Sequence, residues 1–105
     1  MKWSEYRRNR EAEVVAPSGL KYRIKPISVK VGLMLLNKHP AEQAKIALLH
    51  CVVEPPLSEK PDEEHVGLDE IPLGDAYFLV NEIVKISGLE ELESFRELGI
   101  EQGNI

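Results

Sequence analysis

His50 and Cys51 are adjacent, and a thiol beside an imidazole is the one pair in this chain that could suggest a nucleophile with its base. A nucleophile needs its base within hydrogen-bond reach. Neighbours on a helix point about 100° apart, so the pair does not face itself. Cys51 falls on an apolar helical face, where a cysteine acts as a small hydrophobe. The remaining histidines, His39 and His65, show no i,i+4 pairing with another ligand and no carboxylate at ligand spacing on a shared helix face, so no metal site is expected. Asp69, Glu70 and Asp75 form a loose acidic group, and Asp75 is explained by the first turn of a helix, where a carboxylate complements the helix dipole. Gly19, Gly32 and Gly74 fit no phosphate-cradling pattern. These residues point to no catalytic, cofactor or metal chemistry.

The elements that carry them are organised around Leu73 to Leu89, the longest apolar stretch with helical period. Ala76, Leu79, Val80, Ile83 and Val84 form its stripe, widened by Tyr77, Phe78 and Ile86, and only Asn81, Glu82 and Lys85 interrupt it. The pattern predicts a helix buried on most of its circumference, begun by Pro72 and Asp75 and stopped by Gly88. In residues 12–27, Val14 and Val15 precede a Pro17-Ser18-Gly19 turn, after which Leu20, Tyr22 and Ile24 alternate with Lys21, Arg23 and Lys25. That alternation predicts a β-hairpin, closed by Pro26, with its apolar face on helices. Ser28 caps a helix to about Leu36, with Val29, Leu33 and Leu36 on one side and Gly32 marking a close packing contact. Pro40 opens a helix to about Val53, with Ala44, Ala47, Leu48, Cys51 and Val52 on one face and Ile46, Leu49 and Val53 extending it; Pro55-Pro56 ends it. Residues 54–70 read as an acidic extended loop tacked down by Leu57, Val66, Leu68 and Ile71. Ser87 and Glu90 have capping-box spacing for a last helix carrying Leu89, Leu92 and Phe95.

The expected architecture is α+β: an N-terminal hairpin packed on a mainly helical domain of about four helices. Residues 1–105 form one domain, with a flexible stretch at 1–11 unless Trp3 and Tyr6 pin a helical turn to the body, and a loose end at 99–105. A chain of 105 residues buries roughly two-thirds of its unfolded surface. With 43% hydrophobic and 30% charged residues, its composition is that of a soluble globular protein. No apolar run approaches the roughly 20 residues of a membrane helix. The N-terminus lacks the apolar stretch of a secretory signal, and a single cysteine rules out an internal disulfide, so a cytoplasmic location is expected. Arg7, Arg8 and Arg10 make one short basic cluster in an acidic chain, too little for the sustained positive surface that nucleic acid requires.

The net charge of −5 is unevenly spread: residues 1–50 hold ten Lys/Arg against four acids (+6), and residues 51–105 hold three against fourteen (−11). Two readings stand: the halves neutralise each other within the fold, or copies associate weakly head to tail, in a manner that salt weakens.

The order of features resembles one family. Pro17-Ser18-Gly19 precedes a basic strand with Tyr22-Arg23-Ile24; a helix ends in Val53-Glu54-Pro55-Pro56; Asp69-Glu70-Ile71-Pro72 leads to Asp75 and an apolar helix. Over residues 12–88 this is similar to the tail assembly chaperones of long-tailed bacteriophages and prophages, while residues 89–105 match nothing distinctive in them. The resemblance implies a non-enzymatic protein of the host cytoplasm, absent from the mature virion. Its partners would be the tape measure protein, which it keeps soluble, and the tail tube protein, which it helps assemble. It also implies that this chain is the short form beside a frameshifted long one. The alternatives are a virion structural tail or neck component, and a small adaptor or regulator that binds one protein through the acidic loop.

Overall fold

Every strand and helix foreseen between residues 12 and 87 begins at a signal written locally, and the departures occur where tertiary pairing takes over. The computed structural model describes residues 2–89. Helix α1 (Trp3–Asn9) is followed by strands β1 (Ala12–Val15) and β2 (Lys21–Ile24), helices α2 (Val29–Leu35) and α3 (Pro40–Cys51), and strand β3 (Val52–Glu54). Two short strands, β4 (Leu57–Ser58) and β5 (Val66–Gly67), a 3-10 turn at Leu68–Glu70, and helix α4 (Leu73–Ile86) complete it. The fold is α+β, as expected, and its four described helices include α1. The helix expected after Ser87 lies outside the described residues.

The hairpin forms around the Pro-Ser-Gly turn. Ala12 pairs with Ile24 and Val15 with Lys21, Gly19 takes a positive φ of 91°, and its amide donates to the Ala16 carbonyl at 2.8 Å. Tyr22 and Ile24 point into the core while Lys21 and Arg23 point out. Leu20, expected on the inner face, lies in the turn ahead of β2 and is exposed.

The hairpin is part of a three-stranded antiparallel sheet in which β2 is central. Its third strand comes from residues expected to finish α3. Helix α3 stops at Cys51, and Val52–Glu54 pairs with β2, Ile24 opposite Val52 and Arg23 opposite Glu54. Three causes act together. Val52 and Val53 are β-branched, Glu54 precedes a proline and is biased to extended backbone, and β2 offers an open edge whose amides and carbonyls need partners.

The core joins Tyr22 and Ile24 of the sheet, Leu48 and Cys51 of α3, and Leu79 and Ile83 of α4, with Ala16, Val52 and Leu57 around them. The stripe expected for α2 is corrected: its buried residues are Val31 and Leu35, whereas Val29, Leu33 and Leu36 face outward. In α4 the fully buried line is Asp75, Leu79 and Ile83, with Ala76, Phe78, Val80 and Ile86 packed on the core beside it, and Leu73 and Tyr77, expected in the apolar stripe, stand on its exposed side. Gly32 is not a close contact either, because a Cβ there would meet Ile27 at an ordinary 3.8 Å.

The acidic stretch after Pro56 is more ordered than a loop. Leu57 is buried, Val66, Leu68 and Ile71 pack on the core as anticipated, and β4 and β5 pair in parallel. Gly67 is where this excursion closes on itself. Its backbone (φ −78°, ψ 151°) suits any residue, but a Cβ would sit 2.7 Å from Pro61 Cδ and 2.9 Å from the Pro61 backbone nitrogen. Neither is the end of a flexible side chain. Gly67→Ala is therefore expected to destabilise by about 1–3 kcal/mol, as overpacking does, and a urea melt of the two proteins measures it; equal midpoints would mean that Pro61 moves aside freely.

Candidate functional site

The polar centre of this molecule is a carboxylate in the core stripe of α4. Asp75 is 1% exposed and occupies the same helical line as Leu79 and Ile83, each 0% exposed. Its Oδ1 accepts from the Ser18 amide at 3.1 Å, and its Oδ2 accepts from Ser18 Oγ at 2.5 Å and from Tyr22 Oη at 3.0 Å. Ser18 Oγ also accepts from the Leu20 amide at 3.3 Å. The first turn of α4 is thus buckled to the hairpin turn across 57 residues of sequence. Three donors from neutral groups, together with the positive end of the helix, offset the cost of removing the charge from water.

Hydrogen bonding from Ser18 holds the Asp75 carboxyl below the ordinary carboxylate range against the opposing effect of burial. A carboxylate so stabilised is a weak base, and no histidine joins the set. The geometry clamps; it offers no proton relay to the Ser18 hydroxyl. First-turn complementarity to the helix dipole, the role expected of Asp75, accounts for only part of this. The signal that could have revealed the rest was its place at i, i+4, i+8 with Leu79 and Ile83, an acid at core spacing.

The other residues of the chemical inventory are scattered. Cys51 is buried and His50 exposed on α3, so they do not form a couple. His39 caps α3, its Nδ1 accepting from the Ala41 amide at 3.2 Å. His65 Nδ1 lies 3.0 Å from Asp62 in the acidic excursion. Among the described residues no group of three His, Cys, Asp or Glu side chains could hold a metal ion.

Burial pushes Tyr22 from the ordinary 10.0 to about 12, with the Asp75 hydrogen bond adding to it, and burial pushes the Cys51 thiol from 9.0 to about 11. Both folded values are raised, so the stability that these neutral groups contribute is complete below the unfolded values and is lost as pH climbs through the folded ones. The protein should accordingly lose stability from about pH 9 upward, with one tyrosine ionising near pH 12. Tyrosinate absorbance followed alongside circular dichroism tests this; full tyrosine ionisation by pH 10 with the fold intact would contradict it.

Gln43 escaped sequence reasoning altogether. It is fully buried, its Nε2 donates to the Leu35 carbonyl at 3.0 Å, and it thereby closes the end of α2. Ser87 does the same for the start of that segment, accepting from the Ile27 amide at 2.8 Å. Both carry backbone groups that no helix or strand partner satisfies.

The chain matches no family model, no curated protein and no solved structure. What it can bind is therefore argued from its surface. Large apolar side chains stand outward on α2 (Val29, Leu33, Leu36), on α4 (Leu73, Tyr77) and on α1 (Trp3, Tyr6), the last two stacked edge to face at 5.7 Å with their centroids. Trp3 is 72% exposed, so this pair rests on itself and leaves the ring open rather than pinning it to the body. Contiguous apolar ridges on a small domain mark places where another surface docks. Opposite charges of the two sequence halves do meet within the fold: Arg23 reaches Glu54 at 3.0 Å and Lys45 reaches Glu59 at 2.8 Å. No described helix is long and apolar enough to cross a membrane.

Proposed function

We propose that this protein is a tail assembly chaperone of a long-tailed bacteriophage or prophage. It works without catalysis in the host cytoplasm, covers apolar helices of the tape measure protein, assists tail tube assembly around it, and leaves before the virion is complete. The observation that carries this reading is the Ser18–Asp75 contact. Two of the short motifs on which the resemblance rests, the Pro-Ser-Gly turn and the aspartate after Ile-Pro, are the two halves of one buckle. Short motifs far apart in sequence mean little singly. Joined by a hydrogen bond, they describe one structural requirement.

The outward ridges supply the means. Leu73 and Tyr77 lie one turn apart on α4, 70% and 50% exposed. A pair at i, i+4 presents a short apolar edge of the kind that meets a partner helix. Many weak contacts of this sort along a long helical partner give reversible, multivalent coverage.

The test is co-expression with the long helix-rich protein encoded downstream. That protein should aggregate alone and stay soluble with this one, and Leu73→Asp/Tyr77→Asp should return it to the pellet while the chaperone itself melts normally. Mass spectrometry of purified particles should find none of this chain. A stoichiometric presence there would instead make it a tail or neck component. A downstream region with no such reading frame would remove the chaperone reading. The adaptor alternative cannot be tested by deleting residues 57–67, because Leu57 is core; charge reversal of the exposed acids at 62–64 serves instead.

A further inference from the structure

Strand β1 is an outer strand of the three-stranded sheet, paired with β2 on one side only. The Ala16 amide donates to the Leu20 carbonyl at 2.9 Å, toward β2. Backbone groups alternate in direction along a strand, so those of Ala12 and Val14 also face β2, while those of Glu13 and Val15 point away from the sheet. The far side of β2 agrees. Lys25 donates to the Cys51 carbonyl at 2.9 Å, next to β3, which turns the amides of Tyr22 and Ile24 toward β1. Among the described residues no backbone bond from outside the hairpin reaches Glu13 or Val15.

Sheets usually blunt such an edge with a proline, a bulge or an inward-pointing charge. The opposite edge is blunted in this way, because β3 runs directly into Pro55-Pro56, which have no amides. Strand β1 carries none of these devices. The irregularity of the sheet falls between β2 and β3, and the one charge in β1, Glu13, lies on the exposed face. On the inner face Ala12 and Val14 pack on the core yet stay half-buried, and on the outer face Val15 is 56% exposed. A strand added here takes apolar surface on both faces further out of water.

The strand is complementary to itself in one register. Antiparallel pairing of two copies centred on Glu13 sets two glutamates face to face, and pairing centred on Val15 sets Glu13 against Pro17, which has no amide to give. Centred on Val14, Glu13 of each copy exchanges both backbone bonds with Val15 of the other, and Val14 faces Val14 on the inner side. Each Glu13 then stands between its own Arg23 and Val15 of the other copy, with no like charges adjacent. We propose that β1 is a docking edge for β1 of a second copy of this chain, the two joined antiparallel about Val14 so that their sheets become one. The pairing is two-fold and closes at two copies, unlike head-to-tail association. The assignment is independent of the chaperone reading.

Sedimentation of the full chain over a concentration series tests this, beside hydrogen exchange of the Glu13 and Val15 amides. The mass should rise from one chain to two and stop there, and both amides should exchange about tenfold more slowly in concentrated than in dilute solution. Glu13→Pro separates pairing from folding, because the amide it removes faces away from the sheet, where an edge strand tolerates proline. That variant should melt like the wild type in dilute solution and stay a single chain at every concentration. In a mixture of differently labelled wild-type chains, an interchain contact between Val14 α-protons should mark the register. A wild-type chain that stays single throughout would overturn the proposal, as would growth beyond two copies. A dimer that survives Glu13→Pro, lacks the Val14 contact or leaves the two amides exchanging as fast as in the single chain would overturn it equally.

Discussion

Ile83→Ala and Leu79→Ala should each lower the unfolding free energy by about 2–5 kcal/mol, the cost of a cavity where a large side chain was fully buried. Both residues are 0% exposed and sit where α3, α4 and the sheet converge, so no surface loop can collapse into the space. Against a total of roughly 5–15 kcal/mol for a domain, either loss is severe. Leu73→Ala on the same helix is the control. Leu73 is 70% exposed, and its truncation should stay within about 0.5 kcal/mol. Urea denaturation of the three variants decides the matter. If Ile83→Ala and Leu73→Ala melted alike, α4 would not be the centre of the core.

The second large effect belongs to the buckle. Tyr22→Phe removes one donor to a buried carboxylate and should cost about 1.5–3 kcal/mol, the range for a hydrogen bond to a charged group. Asp75→Ala should cost more, because it releases the Ser18 amide, the Ser18 hydroxyl and the Tyr22 hydroxyl together. The effects should be strongly non-additive. In an Asp75→Ala background, Tyr22→Phe should change stability little, since the interaction it deletes is already gone. Additive losses would show that Tyr22 acts only through its ring.

The same carboxylate sets an acid dependence. Its folded pKa lies below the unfolded value, so its stabilisation is complete above the unfolded value and disappears as pH falls through the folded one. The unfolding midpoint should fall on acidification below about pH 4, and Asp75→Asn should flatten that limb while lowering the plateau. An unchanged acid limb in Asp75→Asn would assign the dependence to the surface carboxylates Asp62 and Glu59. Hydrogen bonds from the Glu64 amide and from Lys45, respectively, also hold these two low.

Local chemistry determined much of this protein from the sequence by itself. Pro17-Ser18-Gly19 makes a turn wherever it lies, because proline presets φ and glycine accepts a positive one. Ser28 caps α2, Pro40 begins α3, Gly88 ends α4, and Tyr22 and Ile24 face inward by simple alternation. Each of these depends on a few neighbouring residues, and each was legible. The acidic excursion was half legible: its apolar anchors were visible, but the parallel pairing of Leu57 with Val66 and the crowding of Gly67 by Pro61 were not.

What only the tertiary structure decided was which of two plausible options each element takes. Helix α2 is apolar on both sides, and periodicity cannot choose a side. Packing against α3 chose Val31 and Leu35 and left Val29, Leu33 and Leu36 outside. Val52 and Val53 continue the helical pattern of α3, yet the unpaired edge of β2 draws them into a strand. Asp75 read as a first-turn acid until the hairpin came to it with three donors, two from Ser18 in the turn and one from Tyr22 of β2. In each case the deciding energy is non-local: a buried amide, carbonyl or carboxylate must find its partner, and the partner lies far away in the sequence.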